Sequence, residues 1–232
     1  MATPAEDYSQ LNISEEEKDK LVGEVVRYVL FKTHQSSGCP IKREDLTQIV
    51  TRNYHQRSLP ALVINDARHK LSSVFGFEMR ELLRARPSTS RSSQSAAADA
   101  KSYVLVSKLP PDVYQKHVED EGVAHLSGFA FVVVSIVHLA GGSIPEENLW
   151  HQLRRMGLSE KDEHHPVLGN TKQALEMVVQ QRYLQKEKVN GPDGSSLVYE
   201  LAERALDGEV NEKIKEYISK IARKDATVMG ID

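Results

Sequence analysis

The chain has 232 residues, of which 40% are apolar and 27% are charged, and its formal net charge is −3. This length allows two domains of about 100 residues each, and the composition is that of a folded protein. The net charge excludes a chain that is basic throughout, so any contact with nucleic acid must come from a local patch. The single cysteine, Cys39, excludes an internal disulfide and a cysteine-rich zinc site, and it favours a reducing compartment.

No segment predicts secretion or insertion into a membrane. Residues Met1 to Glu17 are polar and acidic, without the apolar core of a signal peptide. The most apolar run, Phe129 to Ala140, is interrupted by Ser135 and His138 and is shorter than the roughly 20 residues that span a bilayer. We therefore expect a soluble intracellular protein with no membrane partner.

Three helices are predicted in the first half of the chain, after a flexible tail over residues 1–13. Ser14 and Glu17 form a capping-box pattern at the start of the first helix, which stops near Ser36-Ser37-Gly38. A second helix is predicted over Ile41 to Thr51. The third helix opens after Ser58, a candidate N-cap, and Gly76 is its predicted stop.

A hairpin with a long tip is predicted to follow these helices. Phe77 to Leu83 and Tyr103 to Leu109 have strand character. The Ser- and Ala-rich stretch between them predicts a flexible wing over about 86–100. Three helices followed by such a hairpin are the plan of a winged helix, so we predict winged-helix domain A over residues 14–110.

The same order of elements recurs after Pro110-Pro111, where we place the domain boundary. The predicted elements are a buried helix (Val123 to Leu139), a helix that begins at Ser143 with Pro145 in its first turn, a helix from Asn170 or Thr171, two strands (Tyr183 to Val189 and Leu197 to Leu201) and a final helix (Asn211 to Ile221). We predict winged-helix domain B over residues 111–222 and a tail over 223–232. The fold class is therefore mainly α with small β wings, in two tandem winged-helix domains.

Motifs for catalysis are absent from the sequence. It contains no Gly-rich phosphate loop after a strand, no G-x-S-x-G elbow and no H-E-x-x-H. A nucleophile pair of Cys39 and His34 is conceivable, but a surface thiol is the simpler interpretation. The adjacent residues of Asp162-Glu163-His164-His165 seldom converge on a metal, so we interpret them as a solvated loop. We expect a non-enzyme with no cofactor and no metal.

Basic residues are concentrated in the first domain, where ten Lys or Arg stand against five acids between Lys42 and Arg91. In a winged helix the third helix and the wing commonly face DNA, and scattered cations suit phosphate contacts. The alternative is a solvated face with i,i+4 ion pairs. The candidate DNA residues are Arg52, Arg57, Arg68 and Lys70 in the first domain and Arg154, Arg155, Lys172, Arg182, Lys186 and Lys188 in the second. Base-specific readout is not expected, because the third helices lack a dense set of Arg, Asn and Gln.

An ordered set of motifs resembles the MAGE homology family over about residues 20–222. The first domain reads Val26-Arg27-Tyr28-Val29-Leu30-Phe31-Lys32 and then Pro40-Ile41-Lys42-Arg43-Glu44-Asp45-Leu46. The second domain contains Gly128 before an apolar run, Pro145-Glu146-Glu147, Leu149-Trp150, Leu168-Gly169-Asn170, Gln181-Arg182-Tyr183-Leu184, Tyr199-Glu200-Leu201 and Arg204-Ala205-Leu206. Two departures stand out. Val29 and Leu30 occupy the positions of a common leucine pair, and Leu168-Gly169-Asn170 replaces L-G-D.

The resemblance implies two tandem winged helices and a protein that binds and modulates a RING-type ubiquitin ligase without being an enzyme. The compact branch of the family implies a subunit of the five–six structural-maintenance-of-chromosomes complex, which acts with a kleisin subunit and DNA in repair and recombination in the nucleus. The implied RING contacts are Tyr28, Val29, Leu30 and Phe31, and the implied kleisin contacts are Leu126, Phe129 and Trp150. The alternative that stays open is a free-standing winged-helix transcription regulator.

Overall fold

A computed structural model describes residues 13–82, 101–118, 121–191 and 194–228 of the chain. The chain consists of two compact units, Met1–Glu119 and Asp120–Asp232. The described residues form eight helices and two three-stranded antiparallel sheets. The predicted fold class, mainly helical with small β elements, is confirmed. The predicted tail over 1–13 and the flexible wing over 86–100 lie almost wholly outside the described residues.

The first unit has the order helix, short strand, two helices, hairpin and short helix. Its strands, β1 (Ile41–Lys42), β2 (Phe77–Leu82) and β3 (Ser102–Ser107), pair in the order β1-β3-β2, with Ile41 opposite Tyr103 and Met79 opposite Leu105. The elements are α1 (Glu15–Gln35), β1 (Ile41–Lys42), α2 (Arg43–Thr51), α3 (Leu59–Val74), β2 (Phe77–Leu82), β3 (Ser102–Ser107) and α4 (Pro111–His117).

The second unit repeats this order, with a longer hairpin and a C-terminal helix. Its strands, β4 (Ser143–Pro145), β5 (Leu184–Gly191) and β6 (Gly194–Leu201), pair in the order β4-β6-β5, which corresponds to that of the first unit, with Ile144 opposite Tyr199. The elements are α5 (Glu121–Leu139), β4 (Ser143–Pro145), α6 (Glu146–Arg155), α7 (Thr171–Gln180), β5 (Leu184–Gly191), β6 (Gly194–Leu201) and α8 (Gly208–Val228). The element order in both units agrees with the winged-helix plan.

Several predicted boundaries were wrong. Ile41 and Ser143 begin short strands rather than helices, and the following helices start at Arg43 and Glu146. The two compact units divide after Glu119, so helix α4 lies within the first of them, and the domain boundary at Pro110-Pro111 stays a prediction. The last helix begins at Gly208 and continues to Val228, through part of the segment predicted as a tail.

Each unit has its own apolar core. In the first unit the residues buried completely come from α1, α2 and α3, including Val25, Leu46, Val63 and Leu71. The core of the second unit is formed by residues of three helices and the sheet, including Val133 of α5, Leu149 of α6, Leu175 of α7 and Tyr199 of β6. Apolar positions that recur with the helical period of 3.6 residues therefore form the buried faces of these helices.

Helix α5 is longer than its apolar run suggested. By length and composition alone, Gly122–Leu139 could cross a membrane, and 28% of that stretch is buried inside the protein. Core helices of soluble proteins meet the same criterion. Val133, Val134 and Val137 of α5 lie in the second core, which identifies α5 as a core helix of this unit. Gly141 and Gly142 end it with positive φ values of 89° and 94°, which residues with a Cβ seldom adopt.

The capping box at the start of α1 is present. The Ser14 hydroxyl oxygen accepts a hydrogen bond from the Glu17 N–H (3.2 Å), and the Ser14 N–H donates to the Glu17 carboxylate (3.1 Å). At the corresponding position of α3, the side chain of Ser58 makes no capping hydrogen bond, so its predicted role was wrong. Ser14 and Ser58 therefore offer a matched comparison, because both stand at the start of a helix but only the Ser14 side chain accepts a capping hydrogen bond.

We expect Ser14→Ala to destabilise α1 by about 1 kcal/mol, because the Glu17 N–H loses its acceptor. Ser58→Ala should change little. Faster hydrogen–deuterium exchange confined to residues 15–35 would be the readout. The Ser14 N–H and the hydroxyls of Tyr54 and Ser14 lower the pKa of Glu17. A lowered folded-state pKa adds stability that is complete above the unfolded-state pKa and is lost as the pH falls through the folded-state pKa. The part of the Ser14→Ala effect that comes from the hydroxyl's hydrogen bond to Glu17 should therefore shrink as the pH falls below about 4.5. Equal effects of both substitutions would contradict the assignment.

Candidate functional site

The predicted RING contacts on α1 do not share one surface. Val29 is completely buried in the first core, whereas Phe31 is 70% exposed. Tyr28 and Leu30 are half-buried and pack against the core. Consecutive helical residues point about 100° apart, so four in a row must include core positions. Val29 cannot contact a partner in this fold, and Phe31 is the residue of the four that a partner reaches most readily.

Two of the three predicted kleisin contacts belong to the second core. Phe129 is 6% exposed and Trp150 is 2% exposed, so a partner cannot reach either one without disturbing the core. Leu126, one turn before Phe129 on α5, is half-buried. Of the three residues, only Leu126 offers a partner a substantial exposed surface.

The four candidate cations of the first unit are all exposed. Arg52 and Arg57 lie in the connection between α2 and α3, and Arg68 and Lys70 lie on α3. Among the described residues, none of the four forms an ion pair. The first turn of α3 contains no acidic residue, so nothing there offsets the positive end of the helix dipole.

Lys108, just beyond β3, extends this basic surface and was missed in the sequence. Its ammonium group donates a hydrogen bond to the hydroxyl of Ser72 on α3, at 3.1 Å. The two residues are 36 positions apart, so only the fold brings them together. Lys108 is exposed.

Three of the six candidate cations of the second unit are held in ion pairs. Lys172 pairs with Glu160 at 3.1 Å, Lys186 with Glu176 at 2.5 Å, and Arg182 with Glu203 at 2.8 Å. The other three, Arg154, Arg155 and Lys188, are exposed, and Arg155 donates a hydrogen bond to Gln152. The basic character predicted from the sequence is therefore largely compensated around α7 and β5.

Arg182 connects the end of α7 to the segment after β6. Its Nε and Nη2 donate to the two oxygens of Glu203 (3.0 and 2.8 Å), whose side chain is only 5% exposed. The backbone of Arg182 has a φ of 62°, which is uncommon for a residue other than glycine. The neighbouring Arg204 stacks on the ring of Tyr183 at 4.5 Å. Arg182 therefore has a structural role in holding Glu203, and its contact with DNA stays a prediction.

Lys186 also contacts the core of the second unit. Its ammonium group lies 5.4 Å from the centre of the Tyr199 ring, whose hydroxyl donates a hydrogen bond to Glu146 at 3.2 Å. Burial, reinforced by Glu146, raises the pKa of Tyr199 far above its ordinary value. The tyrosine thus stays neutral. Lys186 forms an ion pair with Glu176 and a cation–π contact with this ring.

The loop that contains Asp162, His164 and His165 is organised by hydrogen bonds to its own backbone. Asp162 accepts from the His164 N–H at 3.1 Å, and His165 Nδ1 accepts from the N–H groups of Val167 and Leu168 at 3.2 and 3.1 Å. In the described part of the chain, no three His, Cys, Asp or Glu residues are placed to hold a metal ion. Cys39 is half-buried.

A known protein family matches most of the chain. The model of the MAGE homology domain matches residues 25–213, which is most of the chain. The chain belongs to the MAGE family. The predicted resemblance is confirmed, and the match includes α1 from residue 25 onward, both hairpins and α3 with its exposed cations.

The MAGE relatives include proteins of chromosome maintenance and melanoma-associated antigens. The Mus musculus non-structural maintenance of chromosomes element 3 homolog is 24% identical over 205 residues, which are 88% of this chain and 67% of that protein. The Homo sapiens homolog is 23% identical, over 91% of this chain and 64% of its own length. Homo sapiens melanoma-associated antigen F1 is 27% identical, over 74% and 50%. The chain spans between half and two thirds of these relatives.

A solved structure shares both sequence and fold with this MAGE chain. One chain of an Nse1-Nse3-Nse4 complex superposes with a TM-score of 0.75 at 27% identity. The superposition covers 91% of this chain and 93% of the other. The fold is thus that of a chain seen in a three-protein assembly.

Proposed function

We propose that this chain is the MAGE-type subunit of a chromosome-maintenance complex of the five–six structural-maintenance-of-chromosomes kind. The observation that carries the proposal is the superposition on a chain of the Nse1-Nse3-Nse4 complex over nearly the full length of both chains. Two element 3 homologs that align over about nine tenths of the chain support it. The partners would be a RING-type ubiquitin ligase subunit and a kleisin subunit.

The proposed mechanism is stoichiometric rather than catalytic. The first unit would hold the RING subunit through the exposed side of α1 around Phe31, and the second would hold the kleisin through a surface that includes Leu126. Basic faces would contact the DNA backbone without reading sequence, as scattered exposed cations favour. The chain would modulate the activity of its ligase partner and act in DNA repair and recombination in the nucleus.

Co-expression with a RING subunit and a kleisin subunit tests this proposal. Size-exclusion chromatography should give one 1:1:1 complex. DNA titrations at two salt concentrations should show salt-sensitive binding with little discrimination between sequences. A chain that ignores both partners and binds one DNA sequence tightly would be a free-standing transcription regulator instead.

The exposed Phe31 allows the proposed RING contact to be tested by a single substitution. Phe31→Ser removes an aromatic side chain that is 70% exposed, so the fold should be unaffected while the affinity for the RING subunit falls at least tenfold, or about 1.4 kcal/mol. Val74→Ser is the matched control, because Val74 is similarly exposed, at 67%, and belongs to the last turn of α3 rather than to α1. Isothermal titration with the RING subunit measures both variants. Equal losses, or none, would remove Phe31 from the interface.

A further inference from the structure

We infer that the protein held by α1 approaches this helix most closely at Gly23 and faces Arg27 with a carboxylate. This inference rests on the proposed function and deepens it, because the occupant is the RING subunit proposed to bind around Phe31. Gly23, Arg27 and Phe31 together are the contact strip of α1. The strip requires of its partner a flat surface over Gly23, an acidic group at Arg27 and an apolar recess for Phe31.

The first step is the common direction of the three residues. They are spaced four positions apart on α1, and each step of four residues advances about 40° around a helix, so the contact strip spans about 80°. The completely buried Val25 and Val29 occupy the opposite side of α1 and lie in the first core. A partner that covers Phe31 and follows the helix therefore passes over Arg27 and Gly23.

The second step is that nothing in the chain itself explains a glycine at position 23. Gly23 lies inside a 21-residue helix, where glycine is less favourable than alanine because it loses more conformational freedom on folding. Among the described residues, no heavy atom beyond its chain neighbours and the local helix backbone lies within 4 Å of the place where a Cβ would stand. Alanine would therefore fit the free chain, and the open space suits a closely approaching partner.

The third step is the charge of Arg27, which the free chain does not use. Arg27 is exposed, and within the described ranges it forms no ion pair, even with Glu24 one turn earlier. A guanidinium group binds a carboxylate through two parallel hydrogen bonds, so an acidic group of the partner is its complement. Arginine and aromatic residues are enriched at protein interfaces, which favours a protein as the occupant of a strip that contains Arg27 and the exposed Phe31.

The experiment measures the stability and the RING affinity of the same full-chain variants. Gly23→Ala should raise the melting temperature of the free chain by about 2–6 °C, because alanine is the better helix residue. In isothermal titration it should bind the RING subunit roughly tenfold more weakly, because the added methyl group occupies space that the partner needs. Gly128→Ala is the matched control, since Gly128 also lies inside a long helix, α5, with open space at its Cβ. It should leave the RING affinity unchanged.

A second variant tests the charge. Arg27→Gln should weaken RING binding by about fivefold at about 0.15 M salt, and the loss should shrink at about 0.5 M salt because added ions screen the pair. Lys116→Gln is the control, because it removes an exposed cation of the same unit from α4. Its RING affinity should stay within about twofold of that of the unsubstituted chain.

The outcomes separate the inference from the proposed function. A Gly23→Ala variant that is more stable alone but binds the RING subunit more weakly supports the inference. If Phe31→Ser weakens RING binding while Gly23→Ala and Arg27→Gln do not, the inference is overturned and the proposed RING contact stands. A Gly23→Ala variant less stable than the unsubstituted chain would show that the fold itself requires the glycine, against the inference. An unsubstituted chain that does not bind the RING subunit would overturn both.

Discussion

Replacing Trp150 with alanine should destabilise the second unit by about 3–5 kcal/mol, the cost of emptying a large aromatic site in a core. Trp150 is 2% exposed and lies in the second core beside Leu149 and Leu153 of the same helix. The loss is expected whether or not a partner is present. It would show that Trp150 supports the fold rather than a kleisin contact.

Two further substitutions make this test specific. Within the described residues, the Trp150 indole N–H has no hydrogen-bond partner. Trp150→Phe therefore forfeits no hydrogen bond and should keep most of the stability. Leu126→Ala removes a half-buried side chain, so it should cost much less stability than Trp150→Ala while it weakens kleisin binding.

Hydrogen–deuterium exchange of peptides from α5 and α7 over a urea series measures the second unit within the whole chain. A Trp150→Ala variant that exchanges like the unsubstituted chain and fails only to bind the kleisin would place the tryptophan in the interface instead. That result would contradict the burial seen in the structure.

The helices could be predicted because their signals are local. The capping box at Ser14, the cap at Asn170 and the apolar spacing of α1, α3 and α7 each lie within a few neighbouring residues. In α7 the Asn170 side chain accepts from the Gln173 N–H at 2.9 Å. Such contacts repeat with the helical period and can be seen in a sequence.

The short strands could not be predicted in the same way. β1 has two residues and β4 has three, too few to show an alternating pattern. Each becomes a strand because it pairs with a hairpin strand far along the chain, as Ile41 does with Tyr103 and Ile144 with Tyr199. Each short strand is followed directly by a helix, and the strong helix signals there led to predicted helices that began too early and included the strand residues.

The candidate surfaces were only partly predictable for a related reason. Residue type indicates a cation but not its partner. The ion pairs of Lys172, Lys186 and Arg182 join residues 12, 10 and 21 positions apart, beyond the i,i+4 range that a sequence reveals. The sequence therefore predicted cations on both third helices, and the tertiary contacts decide which of them remain uncompensated.

Arg182→Met is expected to destabilise the second unit by about 2–3 kcal/mol. The substitution leaves the Glu203 carboxylate, whose side chain is 5% exposed, without its two guanidinium hydrogen bonds. Breaking a fully buried pair costs about 3–5 kcal/mol. The Arg182 side chain is 23% exposed, so water offsets part of that cost and the expected value is lower. Trp150, the only tryptophan, reports unfolding of this unit by fluorescence during urea denaturation.

The controls distinguish a structural role for Arg182 from contact with DNA. Arg154→Met removes an exposed cation from the same unit and should change the stability by less than about 0.5 kcal/mol. Combining Arg182→Met with Glu203→Leu removes both charges, so most of the lost stability should return. If Arg182→Met weakened duplex binding without shifting the urea midpoint, Arg182 would be a phosphate ligand. Because its guanidinium already satisfies a nearly buried carboxylate, we expect the midpoint to shift and the double substitution to restore it.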